Sequence, residues 1–383
     1  MVKKSILSFV LLVLVWALPA QNVIVVIIDG ARYTETFGDT ARRFVPYMDS
    51  LSHYGTIIDK YYNRHKTYTS QAIPALWTGS WAGTRDTIIE GQNTQYTLRP
   101  SVFEYYRKQR NAPLDSCIYT LKYVSSLWRQ SFYTGYGPDY WPMTVSEGAS
   151  DIEVEQRTKQ IVQEYHPRFL WMYLADVDHA GHTGNWDYYT RAIEIADSLV
   201  ADLWNFVQQD DFYRGKTYLL VTNDHGRHDD QHGGFQNHGC SCEGCQHIMF
   251  LALGPDIKRN YVGHQEYETQ DFAVTVAHIL GVNPEYADGR VIDDIFMDST
   301  SAVGEINSNL LKIDNRHIYF TPPRPGRYFL SVYSIAGKRL FFKAFLLKNN
   351  NLEQDLPVLP DGIYFLSITG EYNYLTSRKI LIF

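Results

Sequence analysis

Four stretches of the chain are almost uninterrupted in apolar residues, and each ends on a small or acidic one. They are Asn22–Ile28 before Asp29 and Gly30, Phe169–Leu174 before Ala175 and Asp176, Thr217–Thr222 before Asn223 and Asp224, and residues 248–253 before Gly254 and Pro255. Continuous runs of this length suit strands buried on both faces, as parallel sheets require. Helical spacing appears between them. Over residues 188–206, Ala192, Ile195, Ala196, Leu199, Leu203 and Phe206 fall on one face, and residues 270–280 repeat the pattern, with Gly281 as a C-terminal cap and Pro284 beyond it.

Strands that alternate with helices predict an α/β fold over residues 21–312, with a doubly wound, mostly parallel sheet and helices on both faces. In such sheets ligands bind beyond the carboxyl ends of the strands. The pattern changes near residue 315. Short alternating runs follow at 317–320, 328–335, 339–341 and 363–368, with a last strand ending at Phe383, and turn signals at Pro322-Pro323, Ala336-Gly337-Lys338 and Pro360-Asp361-Gly362. This predicts a small all-β, sandwich-like domain over residues 315–383 that has no histidine and carboxylate cluster and no assigned chemistry.

The amino terminus adds an address. Lys3 and Lys4 precede an apolar run from Ile6 to Leu18, then Pro19 and Ala20 before Gln21, which predicts a cleaved signal peptide over residues 1–20 and a secreted or cell-surface protein. Loss of that leader takes Lys and Arg from 35 to 33 against 42 Asp and Glu, so the formal charge moves from -7 to -9. An acidic chain without a basic tract is not a binder of nucleic-acid duplexes. With 45% hydrophobic and 15% aromatic residues, the chain has ample material for a core and is not disordered.

Export also bears on the cysteines. Cys240, Cys242 and Cys245 lie within six residues, with Cys117 far upstream. A disulfide within the cluster or to Cys117 is the expectation in an oxidising compartment; a structural metal held by the cluster, or free thiols, are the alternatives.

The ionisable residues after the predicted strands form one set. Asp29 follows the first strand, Asp178 and His182 stand four apart in the loop after the second, Asp224 and His225 end the third, and His238 precedes Gly239. Carboxylates with imidazoles suit zinc, or manganese or iron less specifically. Six such ligands and a hydroxyl point to two divalent ions, most simply Zn2+, an arrangement that clamps attacking and leaving oxygens in phosphoryl transfer.

Asp29-Gly30, Thr69 with Thr78-Gly79 nine residues on, Asp178 with His182, Asp224-His225-Gly226 and His238-Gly239 together resemble the alkaline phosphatase superfamily, most closely its type I phosphodiesterase and nucleotide pyrophosphatase branch, over residues 22–285. The resemblance implies one metal held by Asp178, His182 and His238. It implies a second held by Asp29, Asp224, His225 and the nucleophile Thr69, and hydrolysis of a small phosphorylated substrate through a phosphothreonine. Thr67, Ser70 and Thr78 are neighbouring hydroxyls, Thr78 being expected in a following helix, and His228, His232 and His247 compete with His238, with His232 in reserve. Asn93 is a candidate to hold the transferred oxygens, or else a loop asparagine, and Arg32 is expected to serve a structural role. Sulfatases of the superfamily place Cys or Ser before Pro and Arg, whereas here Thr69-Ser70-Gln71-Ala72 stands. A sulfatase-like or phosphonate hydrolase is the alternative within the superfamily, and a non-catalytic surface-binding protein the alternative outside it.

The segment from Gly326 to Leu340, with Leu359-Pro360-Asp361-Gly362 later, resembles the C-terminal sorting domain of the type IX secretion system of Bacteroidota, which implies secretion machinery as a partner. An immunoglobulin-like accessory domain is the alternative.

Overall fold

The structure, a computed structural model, describes residues 21–89, 91–122, 129–297, 311–314, 316–322, 325–334, 339–348, 351–370 and 374–382. The leader expected over residues 1–20 and the turn expected at 336–338 lie outside the described residues. The chain divides into two compact units, Met1–Phe296 and Met297–Phe383.

The first unit is built on an eight-stranded sheet. Its strands are β1 (Asn22–Ile28), β2 (Thr56–Ile58), β3 (Cys117–Leu121), β4 (Met143–Ser146), β5 (Phe169–Leu174), β6 (Thr217–Thr222), β7 (Phe250–Leu253) and β8 (Tyr261–Gly263), in the spatial order β8-β2-β7-β6-β1-β5-β3-β4. β1 pairs in parallel with both β5 and β6, so the apolar run at the start of the unit becomes the central strand. Helices cover both faces: α1 (Pro46–Ser52), α2 (Thr69–Thr78), α3 (Val102–Gln109), α4 (Asp151–Tyr165), α5 (Asp176–His182), α6 (Trp186–Val207), α7 (Glu243–Gln246) and α8 (Thr269–Leu280).

Successive strand residues point to opposite faces, and β1 divides the core accordingly. Val23, Val25 and Ile27 pack with Ile73, Leu76 and Trp77 of α2, Phe103 of α3 and Phe272 of α8. Ile24, Val26 and Ile28 pack with Met48 of α1, Ile161 of α4 and Tyr189, Ile193 and Val200 of α6. No helix of the described residues is long and apolar enough to cross a membrane.

The run 248–253 behaves differently from the single strand that its composition predicts. His247–Ile248 pairs with Tyr61–Tyr62 in a separate small sheet, and β7 enters the main sheet antiparallel to both β6 and β2. An apolar run encodes burial but not direction, so neither the break nor the reversal is visible in it. Periodicity likewise leaves α3 unmarked, although its capping box is plain: Ser101 Oγ accepts from the Glu104 amide, and Glu104 accepts from the Ser101 amide.

The second unit contains β9 (Leu311–Asp314), β10 (His317–Phe320), β11 (Gly326–Ser334), β12 (Arg339–Leu347), β13 (Leu352–Asp355), β14 (Gly362–Gly370) and β15 (Tyr374–Ile382). They form two antiparallel sheets, ordered β9-β10-β13 and β12-β11-β14-β15. Alternate residues of both, including Ile318, Phe320, Leu330, Val332, Leu352 and Leu366, share one core.

Asp197 of α6 holds α1 in place from a distance in sequence, its carboxylate accepting from the Tyr47 and Met48 amides at 2.9 and 2.7 Å. Burial pushes its carboxyl up to about 6 against the pull of those amides. A raised folded-state value contributes stability that is complete below the unfolded value of about 3.9 and is lost as pH rises through about 6. Urea unfolding between pH 4 and 7 should show a steeper loss of stability with rising pH in the wild type than in Asp197→Asn; parallel curves would contradict this assignment.

Candidate metal centre

Because β1 lies between two parallel neighbours in register, with Ile28 beside Leu174 and Ile27 beside Thr222, three strand ends open onto one edge. Asp29 follows β1, Asp224 and His225 follow β6, and α5 begins two residues after β5. Asp178 and His182 therefore sit on a short helix, not in a loop, four apart and on one face, with 3.2 Å between Asp178 Oδ2 and His182 Nε2.

Two ligand sets result. In the first, His225 Nε2 lies 3.4 Å from Asp29 Oδ1 and 3.5 Å from Asp224 Oδ2. Thr69 joins it, with Oγ1 3.0 Å from His225 Nε2 and 3.4 Å from each Asp29 oxygen. In the second, His238 Nε2 stands 3.6 Å from Asp178 Oδ1 and 3.1 Å from His182 Nε2. The sets adjoin through the imidazoles of His225 and His238, which stack with centroids 4.0 Å apart. The donor atoms of Asp29, Asp224 and His225, and those of Asp178, His225 and His238, each fall within 4.8 Å of one another.

Backbone carbonyls set the histidine tautomers. His225 Nδ1 donates to the Gly226 carbonyl at 2.9 Å and His238 Nδ1 to the Thr67 carbonyl at 2.9 Å, which leaves each Nε2 lone pair facing the cluster. Two glycines allow the close approach. Gly30, at φ +68°, has Asp178 Oδ1 2.6 Å from where a Cβ would lie, and Gly239, at φ +103°, has the Tyr68 ring at 2.4 Å.

The electrostatics favour cations. Burial, then the neighbouring carboxylates, raise Asp29 well above the ordinary range, and burial with Asp178 raises Asp224. Burial works against ionised Asp178 too, yet the His182 hydrogen bond and the Arg227 charge hold it well below the usual range. Burial pushes His238 down to about 3, so it is a neutral donor. Asp224 Oδ2 is buried with no hydrogen-bond partner. Crowded carboxylates, neutral imidazoles and an orphaned carboxylate oxygen are the features that divalent ions satisfy.

Thr69 is the first residue of α2, and Thr78 is the last residue of that same helix, not part of a later one; it caps back onto the Pro74 carbonyl at 2.8 Å. Asn93 lies exposed on the hairpin of Thr84–Ile89 and Gln92–Thr97, opposite Ile88, and no hydrogen bond joins it to the cluster among the described residues. Arg32 pairs with Glu35 at 2.6 Å and with Asp230 at 3.1 Å. His232 pairs with Asp229 at 2.6 Å, and His247 stacks on Tyr33 with Nε2 2.8 Å from the Asp59 carbonyl. The four cysteines are free thiols, so the expected disulfide is absent; Cys117 is buried in β3, and Cys240 and Cys245 are 3.6 Å apart at sulfur.

Three supporting residues escape a search for ligand types. Fully buried Arg227 hydrogen-bonds Asp178 Oδ1 and donates to the Gln236 carbonyl at 2.8 Å. Tyr173 of β5 donates to Asp29 Oδ2, and Asn63 donates to the Asp224 carbonyl at 2.8 Å. The signal for Arg227 is local, a charged residue two positions after His225 in a stretch otherwise buried; Tyr173 and Asn63 carry none. The cavity of about 530 Å³ lined by Gln21, Ser116, Arg168 and Gly281 opens at the opposite, amino-terminal end of the strands and has no part in the cluster.

Residues 136–284 match the family described as the Metalloenzyme superfamily, and residues 312–383 match the Secretion system C-terminal sorting domain. Similar folds include the murine ectonucleotide pyrophosphatase/phosphodiesterase 5, at TM-score 0.55 and 14% identity over 72% of this chain and 100% of that one. The phosphonate monoester hydrolase of Agrobacterium radiobacter aligns at TM-score 0.54 and 12% identity over 88% of this chain and 89% of its own. In sequence, the 2,3-bisphosphoglycerate-independent phosphoglycerate mutase of Legionella pneumophila (strain Lens) is 26% identical over 139 residues, 35% of this chain. The chain spans 25% of that mutase's length. Residues 136–284 thus match the Metalloenzyme superfamily, and the first unit has the fold of alkaline phosphatase-like enzymes. In this protein that unit is followed by a secretion-system sorting domain, which implies secretion or a cell-surface location.

Ions that bind only the folded state stabilise it by mass action, by about 2.7 kcal/mol for a site held at a hundred times its Kd. Chelation should therefore lower the unfolding temperature of the full chain and zinc should restore it, and Asp224→Ala should diminish the difference. An unchanged transition after verified metal removal would contradict the cation reading.

Proposed function

We propose that the protein is an exported two-metal hydrolase of phosphoric esters that works through a covalent intermediate on Thr69. The observation that carries this is the position of Thr69 Oγ1, 3.0 Å from His225 Nε2 and 3.4 Å from both Asp29 oxygens, at the first residue of α2. Bound divalent ions would lower the pKa of the hydroxyl and offset charge on the attacking and leaving oxygens. Asp29, Asp224 and His225 would hold one ion and Asp178, His182 and His238 the other, with zinc the best match to these donors.

Thr69 is the proposed nucleophile, and its oxygen forms the bond to phosphorus as the ester oxygen departs. Water then cleaves the phosphothreonine, and Thr69 regains its proton. The amides of Thr69 and Ser70 open α2 ahead of its first internal bonds, which run from Gln71 and Ala72 to the Tyr68 carbonyl, so this helix terminus would stabilise the phosphoryl oxygens. Arg227 fixes Asp178, and Tyr173 fixes Asp29. Asn93 is the proposed polar contact to the transferred oxygens, on a hairpin whose base is tied to α2 by Gln71 Nε2 and Thr84 Oγ1 at 3.2 Å.

A diesterase or nucleotide pyrophosphatase reading is favoured within the superfamily, with a small phosphorylated substrate. The murine fold relative has been captured as an inactive threonine-to-alanine variant in complex with AMP, which supports both a threonine nucleophile and a nucleotide-type ligand.

Thr69→Ala should lower turnover by on the order of 10³ to 10⁶ on whichever member of a chromogenic diester, monoester and nucleotide panel is hydrolysed, while its metal content stays that of the wild type. Undiminished turnover in that variant would remove the covalent route, and release of sulfate from sulfate esters in place of phosphate would move the enzyme to the sulfatase branch. Surface labelling of intact cells should find the full-length chain outside and a chain lacking residues 312–383 inside; equal labelling of both would refute export through the tail.

A further inference from the structure

Beside the catalytic cluster lies a second group of soft and borderline ligands. Cys240, Cys242 and Cys245 wrap a tight knuckle in which the Cys242 amide donates to Cys240 Sγ at 3.3 Å and the Cys245 amide to the Cys242 carbonyl at 3.1 Å. His228 reaches it from the loop after β6, and the donor atoms of His228, Cys240 and Cys245 lie within 4.8 Å of one another. The Cys242 thiol falls instead with Asp229 and His232, whose donor atoms and its own lie within 4.8 Å of one another.

The spacing discriminates between the chemistries open to such a cluster. Cys240 and Cys245 sulfurs are 3.6 Å apart. Two thiolates on a tetrahedral zinc, each with a Zn–S bond of about 2.3 Å, stand about 3.8 Å apart, whereas a disulfide needs about 2.0 Å. Neither ring nitrogen of His228 is hydrogen-bonded among the described residues, so this half-buried imidazole has a free lone pair near the thiols.

The backbone is built to bring these segments together. A Cβ at Gly226 would lie 2.0 Å from the Gly244 carbonyl oxygen, and one at Gly244 2.5 Å from the Arg227 carbonyl oxygen, so the two loops touch with no room for a side chain. The Gly226 amide donates to the Cys245 carbonyl at 2.9 Å and the His228 amide to the Asn237 carbonyl at 2.8 Å. Thr67 Oγ1 donates to the Cys240 carbonyl at 2.9 Å.

We infer that His228, Cys240 and Cys245 form a further, structural cation site of zinc type, separate from the catalytic pair. The ion cross-links the loop after β6 to the return segment that carries His238 and, through Thr67, to the lead into α2. It holds catalytic ligands in register without touching substrate. Binding requires the thiols to release their protons to solvent, and the ligated thiolates are then withdrawn from oxidation.

Cobalt(II) is the probe, because thiolate ligation gives an intense near-ultraviolet charge-transfer band that carboxylate and imidazole ligands do not. The full chain, stripped of metal under reducing conditions and reloaded with cobalt, should show the band. It should vanish in Cys245→Ser, weaken in His228→Ala, and persist in His182→Ala, which disturbs only the catalytic set. In unmodified protein, titration of the thiols with a mercurial should release about one zinc per chain, as a single thiolate-bearing site demands, and needs no variant to fold. Absence of the band in the cobalt-loaded wild type, or peptide mapping of the purified protein that shows Cys240 joined to Cys245, would overturn the inference whatever the enzyme's activity.

Discussion

Three carboxylates share one nearly dry space because three adjacent strands end there, and the architecture of this edge of the sheet follows from that crowding. Asp29, Asp178 and Asp224 could not remain ionised together without positive charge among them. Arg227 supplies part of it at Asp178, but Asp224 Oδ2 has no hydrogen-bond partner. The interior is therefore arranged for ions that the chain does not itself provide, and the fold is committed to them before any substrate arrives.

The elements around the cluster restrain it from several sides. Tyr173 lies on the same strand that leads into α5, so one element positions both an Asp29 partner and the Asp178 and His182 pair. His238 is fixed through the Thr67 carbonyl, two residues before Thr69, which couples the orientation of a ligand to that of the hydroxyl. Gly239 against Tyr68 and Gly226 against Gly244 are close contacts between successive layers of loop, and they leave little freedom for the segment from 225 to 245. A metal knuckle at its far end would continue the same logic, since loops bearing ligands otherwise have few apolar contacts to hold them.

The β1, β5 and β6 runs were fully legible because buried central strands are apolar on both faces, and their bounds coincide with the observed strands. The strands β3 and β4, and the helices α3 and α4, carry weaker signals: short runs, or apolar faces diluted by residues such as Glu104 and Glu155 that are buried only because Ser131 or Lys159 meets them. In the site, Asp29, Asp224 and His225 stand out because they end legible strands. Arg227, Tyr173 and Asn63 do not, since a donor to a metal ligand has no spacing rule of its own.

Local sequence is enough to name the residues able to bind ions, the strand ends that present them, and the succession of a globular α/β unit and a β unit with a secretion signature, although the compact units divide after Phe296 and not near residue 315. These are local properties, written in apolar runs, turns and side-chain type. That β1 is flanked by β5 and β6, that 248–253 divides and reverses, that Asp178 and His182 ride on a helix, and that His238 rather than His232 or His247 faces Asp178 are outcomes of packing across the whole unit. Those outcomes depend on pairing between segments more than a hundred residues apart, where the energy lies in shared burial and register and not in any stretch of chain alone.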